Sequence, residues 1–258
     1  MTKKYELVLD DTISFWGWKL FRIRALISFG SVEVGDLGGY IEKEDNLSHD
    51  GNAWVYGNAW VYGNAKVSGN AKVYGNAKVY GNAEVWGNAW VYGNAKVSGN
   101  AKVYGNAKVY GNAEVWGNAW VYGNAKVSGN AKVYGNAKVY GNAEVWGNAW
   151  VYGNAKVSGN AKVYGNAEVW GNAKVYGNAE VWGNAKVSKL GDIIVFKNHW
   201  SSGRHFTYTK SNKMWKVGCF YGTGQELIEK AYRDSEKSGN YYKAYVDFVE
   251  TLERLSEE

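Results

Sequence analysis

Three histidines are the residues of this chain best suited to acid-base or metal chemistry, and all of them stand outside its regular part. His49 precedes a long repeat, while His199 and His205 lie on either side of the Ser201-Ser202-Gly203 turn that follows it. Two imidazoles brought together by a turn supply two ligands, and a zinc site needs more of them in a suitable geometry. Ser201 and Ser202 beside His199 have the residue types of a nucleophile and its base, but a serine next to a histidine is also the ordinary composition of a turn. The lone Cys219 allows no disulfide within the chain and is compatible with a reducing compartment. Glycine recurs every six residues, as corners do, and not as a phosphate cradle does. No catalytic residue, metal ligand or cofactor is therefore expected.

The other chemistry on offer is that of contact. From Gly51 to Ser188 run 23 uninterrupted hexapeptides of the form Gly-Asn-Ala-x-Val-z, where x is Lys, Glu or Trp and z is Tyr, Ser or Trp. The repeat carries a charge of +8, against −3 for the first 50 residues and +1 for the last 70. Lysines alternating with aromatic rings suit a polyanion, since ammonium groups meet phosphates and rings stack on bases. The same rings could stack on sugars. The candidate surface is formed by Tyr104, Trp120, Tyr122 and Tyr140 with Lys102, Lys138, Lys156 and Lys174, the least interrupted lysine row. Against this stands a plainer role, because basic side chains also keep a parallel sheet soluble.

These residues must be positioned by the repeat. On an extended backbone Ala and Val, two apart, point to one side, and x and z point to the other. Ala and Val are therefore inside. Gly and Asn, which most readily take positive φ, form the corner between z and the next Ala. A unit this short cannot bury an apolar face alone and must stack into a solenoid. The chain contains no proline, as suits a backbone whose N–H groups must join a ladder.

Written from Val, the unit reads Val, z, Gly, Asn, Ala, x, and it resembles the hexapeptide signature of left-handed parallel β-helices over all 23 units. The resemblance implies triangular coils of 18 residues and a left hand, although ordinary parallel crossovers are right-handed. Many members of that family are acyltransferases and some are zinc carbonic anhydrases. Both would demand functional histidines on or between coils, and none lies between Gly51 and Ser188. Acyl transfer stays as an alternative, and a non-catalytic rod is the expectation.

The outer residues test the 18-residue step. Residues 57–146 are three identical blocks of five hexapeptides, so copies rotate around a three-sided coil and neighbours at ±18 are independent of the copying unit. At that step Glu84 falls between Lys66 and Lys102, Glu114 between Lys96 and Lys132, and Glu144 between Lys126 and Lys162. Glu168 precedes Lys186, Glu180 follows Lys162, and no Glu meets a Glu. Trp90 falls between Lys72 and Lys108, and Trp120 between Lys102 and Lys138, as cation–π contact requires. The z residues line up as aromatic ladders along a rod of roughly 35 Å.

Residues 1–38 read as an N-terminal β cap, 39–190 as the β-helix and 191–258 as a C-terminal α+β cap. Ile41 and Leu47 lie at steps of six before Ala53, which puts Lys43 and His49 at Val positions of a degraded first coil. Asp192 to Lys197, Arg204 to Lys210 and Lys213 to Phe220 read as strands. Thr223 with Glu226 starts a helix to about Lys237, Gly239-Asn240 breaks it, and Tyr241 to Leu255 forms a second. The two helices are expected to close the far end of the rod.

Both flanks resemble those of hexapeptide-repeat proteins of bacteriophages and prophages, through Leu20-Phe21-Arg22-Ile23-Arg24-Ala25-Leu26, Gly35-Asp36-Leu37-Gly38-Gly39-Tyr40-Ile41-Glu42, Asp45-Asn46-Leu47-Ser48 and Gly218-Cys219-Phe220-Tyr221-Gly222-Thr223. That resemblance implies a phage-type origin, hence a bacterial cytoplasm or a virion. No leader and no membrane-length apolar run is read from the sequence. The expected partners are a protein or a polyanion, with association of copies through the caps or the flat faces.

Overall fold

The computed structural model describes residues 2–256, so residues 1, 257 and 258 of the two expected caps lie outside it. Each hexapeptide forms one two-residue strand, x followed by Val, from Trp54–Val55 to Lys186–Val187. Each strand pairs in parallel with those 18 residues away: Trp90 stands opposite Lys72 and Lys108, and Val91 opposite Val73 and Val109. The rungs assemble into an eleven-stranded, an eight-stranded and a seven-stranded sheet. The protein is thus a parallel β-solenoid with three hexapeptides to a turn, and the Ala and Val of every unit are buried inside it.

The corners explain the invariant Gly and Asn. Gly105 has φ +71, and a Cβ there would lie 3.1 Å from the backbone nitrogen of Gly123 one turn on. Left-handed backbone and rung spacing together leave room only for hydrogen. Asn106 donates from its backbone N–H to Gly123 (2.7 Å) and from its side-chain amide to Asn124 Oδ1 (3.0 Å). Such amide bonds run up all three corners, for example Asn70 to Asn88, Asn76 to Asn94 and Asn82 to Asn100.

The ladder bonds have a direction. Lys108 N–H donates to Ala125 O and Tyr110 N–H to Val127 O, both in the following turn, and every coil repeats the pattern. The x, z and Asn N–H groups therefore all point toward the C-terminal end. The Val N–H alone runs the other way, to the x carbonyl of the preceding turn, so the first turn is left mostly with carbonyls to satisfy and the last mostly with N–H groups.

At the N-terminal end β1 (Tyr5–Phe15), β2 (Trp18–Ala25) and β3 (Leu37–Ile41) form an antiparallel ribbon, and β3 joins the rod in parallel with Trp60–Val61. Here the expected frame is corrected. Ile41 stands opposite Val61 and Leu47 opposite Val67, a step of 20 and not 18, so both occupy Val positions, and Lys43 and His49 do not. The Ala position does not admit their bulk: even a methyl at Gly39, two residues before Ile41, would come within 2.7 Å of Val55 Cγ1.

At the other end Ile193–Lys197, His205–Thr209, Met214–Val217 and Phe220–Gly222 form an antiparallel sheet in that order. The expected strand from Lys213 to Phe220 is divided by a Gly218-Cys219 turn that folds Phe220 back opposite Val217. Helices α1 (Gly224–Asp234) and α2 (Glu236–Leu255) follow, and Thr223 and Glu226 form the expected capping box. The helix break lies at Ser235 and not at Gly239-Asn240. Ser235 is extended and its side chain caps Ser238 N–H, whereas Gly239 sits inside α2 because a Cβ there would run into the Tyr232 ring. The sheet abuts the last turn, and the helices pack on the sheet around Phe206, Trp215, Leu227 and Val246. No described helix is long and apolar enough to cross a membrane.

Candidate interaction face and the ends of the rod

All eight residues of the candidate surface lie on the seven-stranded sheet. Its x column runs Lys66, Glu84, Lys102, Trp120, Lys138, Lys156 and Lys174 in register. Beside it Trp86, Tyr104, Tyr122 and Tyr140 stack in parallel at 4.4, 4.9 and 4.9 Å between centroids. Trp120 is edge-on to both Tyr104 (6.3 Å) and Tyr122 (6.4 Å), the favourable arrangement for opposed ring quadrupoles. Burial against these neighbours raises the Tyr104 and Tyr122 hydroxyls above the usual tyrosine pKa. They stay neutral and able to donate.

The lysines of this face are not equivalent. Lys138 Nζ lies 4.3 Å from the centre of the Trp120 ring. Lys102 is shared between Trp120 (5.9 Å), Trp86 (5.7 Å) and the Glu84 carboxylate (3.6 Å). Lys156 and Lys174 are exposed and continue the row with no acid between them. The same pattern holds a Lys near Trp90 on the eight-stranded sheet, Lys108 at 4.5 Å.

The glutamates pair more selectively than the column order implies. Glu114 takes Lys96 at 3.1 Å and Glu144 takes Lys126 at 2.9 Å, each from the preceding turn. Glu168 and Glu180 instead accept from the hydroxyls of Tyr152 and Tyr164, both at 3.2 Å. Being exposed, the lysine pairs contribute about 0–1 kcal/mol each.

The ends carry functional groups that the periodicity did not point to. Lys4 is buried and donates from Nζ to Ala53 O (2.9 Å) and Gly51 O (3.3 Å), and desolvation pushes its pKa down to about 8. The Asn46 amide donates to Ala65 O (2.8 Å) and Gly63 O (3.1 Å). At the far end Thr207 Oγ1 accepts Glu180 N–H (2.9 Å), Ser211 Oγ accepts Lys186 N–H (2.7 Å), and the Asp192 carboxylate accepts the N–H groups of Ser188 (2.6 Å) and Lys189 (3.1 Å). Burial works against that carboxylate, but these bonds and the Ser188 hydroxyl outweigh it and hold the pKa of Asp192 below its usual value.

The three histidines are separated by their partners. His49 stacks on Tyr5 and accepts Lys4 N–H at Nδ1 (3.2 Å) in the N-terminal cap. His199 lies by the Tyr245 hydroxyl (3.4 Å) on α2, while His205 reaches the Asn178 amide (3.1 Å) at the end of a corner ladder. His199 and His205 have different partners, the one on α2 and the other on the rod. Among the described residues no three His, Cys, Asp or Glu side chains gather into a metal-binding group.

No model of a known protein family matches this chain, and no curated protein matches it either.

Proposed function

We propose that this chain is a non-catalytic, rigid interaction rod, a left-handed β-helix of hexapeptide type and phage descent, that presents the seven-stranded sheet to a protein partner. The observation that supports this is the assembly on one sheet of a stacked row, Trp86 to Tyr140, beside a lysine row interleaved with Trp120. Aromatic rings that are already ordered lose little freedom on binding, and such rings dominate the energetics of protein interfaces. A photo-reactive group at Tyr122 should cross-link a discrete partner in host extract, and Tyr104→Ser with Tyr140→Ser should abolish that product. The same product from a probe on the eight-stranded sheet would remove the assignment to this face.

A second reading is favoured by one further observation: Lys138, Lys156 and Lys174 occupy three successive rungs with no carboxylate between them. A nucleic acid or acidic polysaccharide held there would lose affinity steeply with salt, with a slope of roughly −0.7 per phosphate contacted on a single strand. Replacing Lys102, Lys138, Lys156 and Lys174 by Gln should abolish retention of single-stranded DNA at about 0.15 M salt. Unchanged retention removes this reading. Acyl transfer from an acyl-CoA is expected to be absent, and turnover above background would place the chain with the enzymes instead.

A further inference from the structure

The three sheets do not end alike. In the penultimate turn of the seven-stranded sheet Lys156 N–H donates to Ala173 O (2.9 Å), Ser158 N–H to Val175 O (2.9 Å) and Asn160 N–H to Gly177 O (2.7 Å). One turn on, the equivalent N–H groups of Lys174, Tyr176 and Asn178 have no acceptor among the described residues, and Lys174–Val175 is the last strand of its sheet. On the other two sheets the strand N–H of the last turn is taken, that of Glu180 by Thr207 and those of Lys186 and Ser188 by Ser211 and Asp192, although Trp182 and Asn184 on the eight-stranded sheet have no N–H acceptor among the described residues.

Beyond the open strand lies a groove of about 420 Å³ with Tyr176, Leu190, Ile193 and Val195 along its walls. Tyr176 is 58% exposed, Leu190 59% and Val195 38%, which is unusual for apolar side chains next to a core. Tyr176 also closes its column without a stacked ring, since Ser158 stands in the preceding turn. Unpaired strand donors beside an apolar wall are what an added β-strand requires.

We propose that the Lys174–Tyr176 edge receives an extended segment of a partner protein as a further parallel strand, with an acidic residue over Lys174 and an aromatic residue over Tyr176. The rod itself supplies the rule for that occupant. At two of the four places where a Glu follows a Lys along a column the pair closes, to 3.1 Å (Lys96 and Glu114) and 2.9 Å (Lys126 and Glu144), while Glu84 turns to Lys102 and Glu180 to Lys216. Where a Tyr and a Trp are neighbours in the z column they stack, as Trp86 and Tyr104 do at 4.4 Å. The unpaired N–H groups call for carbonyl acceptors at strand spacing, which an extended peptide provides. The row Lys138, Lys156, Lys174 gives a basic approach to the site and has no acid to compete with the incoming one. The inward residues of the segment must be small, because Ile193 already packs against the end of the core.

This inference rests on the reading of the rod as an interaction surface and adds where on it a partner strand is held. The probe is a fluorescent peptide carrying the chain's own acidic unit, Gly-Asn-Ala-Glu-Val-Trp, with both ends blocked. Saturable binding to the full-length protein is expected, with slowed hydrogen exchange at the Lys174 and Tyr176 amides. Lys174→Glu should weaken binding at least tenfold, and a peptide with Lys in place of Glu should then bind the variant better than the parent. Val195→Trp, which fills the groove, should also abolish binding. Failure of the peptide to bind, binding indifferent to both substitutions, or Lys174 and Tyr176 amides as protected in the free protein as that of Lys156 would each overturn the inference. A cross-link from Tyr122 that survives in the Val195→Trp variant would fail this edge while leaving the face intact. Displacement by single-stranded DNA but by no peptide would assign the edge to a polyanion instead.

Discussion

At its N-terminal end the rod meets donors: Lys4 and Asn46 supply side-chain N–H groups to carbonyls of the first turn. At its C-terminal end it meets acceptors, because Thr207, Ser211 and Asp192 supply oxygens to N–H groups of the last turn. A corner ladder obeys the same polarity, with the Lys43 ammonium donating to Asn64 at its start. The two caps share no sequence pattern, yet each is complementary to the end it covers. A solenoid built from one repeated unit is richer in free carbonyls at one end and in free N–H groups at the other, and the exceptions are single bonds: Glu42 accepts Gly63 N–H at the first end and Tyr221 donates to Trp182 O at the last.

The comparison can be broken most severely by removal of one end. Deleting residues 191–258 would uncover both capped sheets together with the open one, and the truncated rod should associate or precipitate as strand edges pair between chains. Light scattering after size exclusion checks this, and a soluble monomer would show that the C-terminal region is merely attached to the rod. In the middle, where neither end is felt, Ala107→Leu should cost about 1–3 kcal/mol by overpacking, while the outward Lys108→Leu should leave the denaturation midpoint nearly unchanged. Equal sensitivity at the two positions would contradict the inside and outside assignment.

Single substitutions at the ends sharpen the contrast. Lys4→Met strands the buried Ala53 carbonyl and the part-buried Gly51 carbonyl and should cost about 1–3 kcal/mol, whereas Thr207→Val strands one N–H group and should cost about 1 kcal/mol. Titration should separate the two ends further. The folded pKa of Lys4, about 8, lies below that of the unfolded chain, so between these values the unfolded state holds more protons and the contribution of this site to stability rises with pH. The penalty of Lys4→Met should therefore be larger at about pH 9.5 than at about pH 7.5. Asp192 has the same sense in a different window: its lowered pKa gives stability that is present above the ordinary carboxylate range and lost as pH falls through the folded value. Asp192→Asn should flatten the acid limb of the stability curve and leave the alkaline limb alone.

The smallest effect belongs to the corners. Asn106→Ala removes one exposed amide bond to each neighbour, those with Asn88 and Asn124, and should cost about 1 kcal/mol. Several such changes in one ladder should add. An unchanged thermal midpoint for a triple substitution would show that the ladder follows the fold without supporting it.

The repeat was legible because its information is local and redundant. Ala and Val two apart, a Gly-Asn corner and Glu placed 18 residues from Lys determine the rung, the inside and the step, and the observed register agrees at each strand of the rod. The gathering of Tyr104 to Tyr140 with Lys102 to Lys174 on one face was legible for the same reason. The ends were not, because there the outcome depends on space and on unpaired groups that no periodicity records. Ile41 and Leu47 follow the six-residue count into Ala positions, but side-chain volume moves them by two residues into Val positions. Gly239 reads as a helix breaker, but the crossing of Tyr232 makes it a contact point and leaves the break to Ser235. Burying Lys4 and Asn46 and leaving the Lys174 strand open were decisions of the tertiary structure, made wherever the hydrogen-bond ladder of the rod met, or failed to meet, a partner.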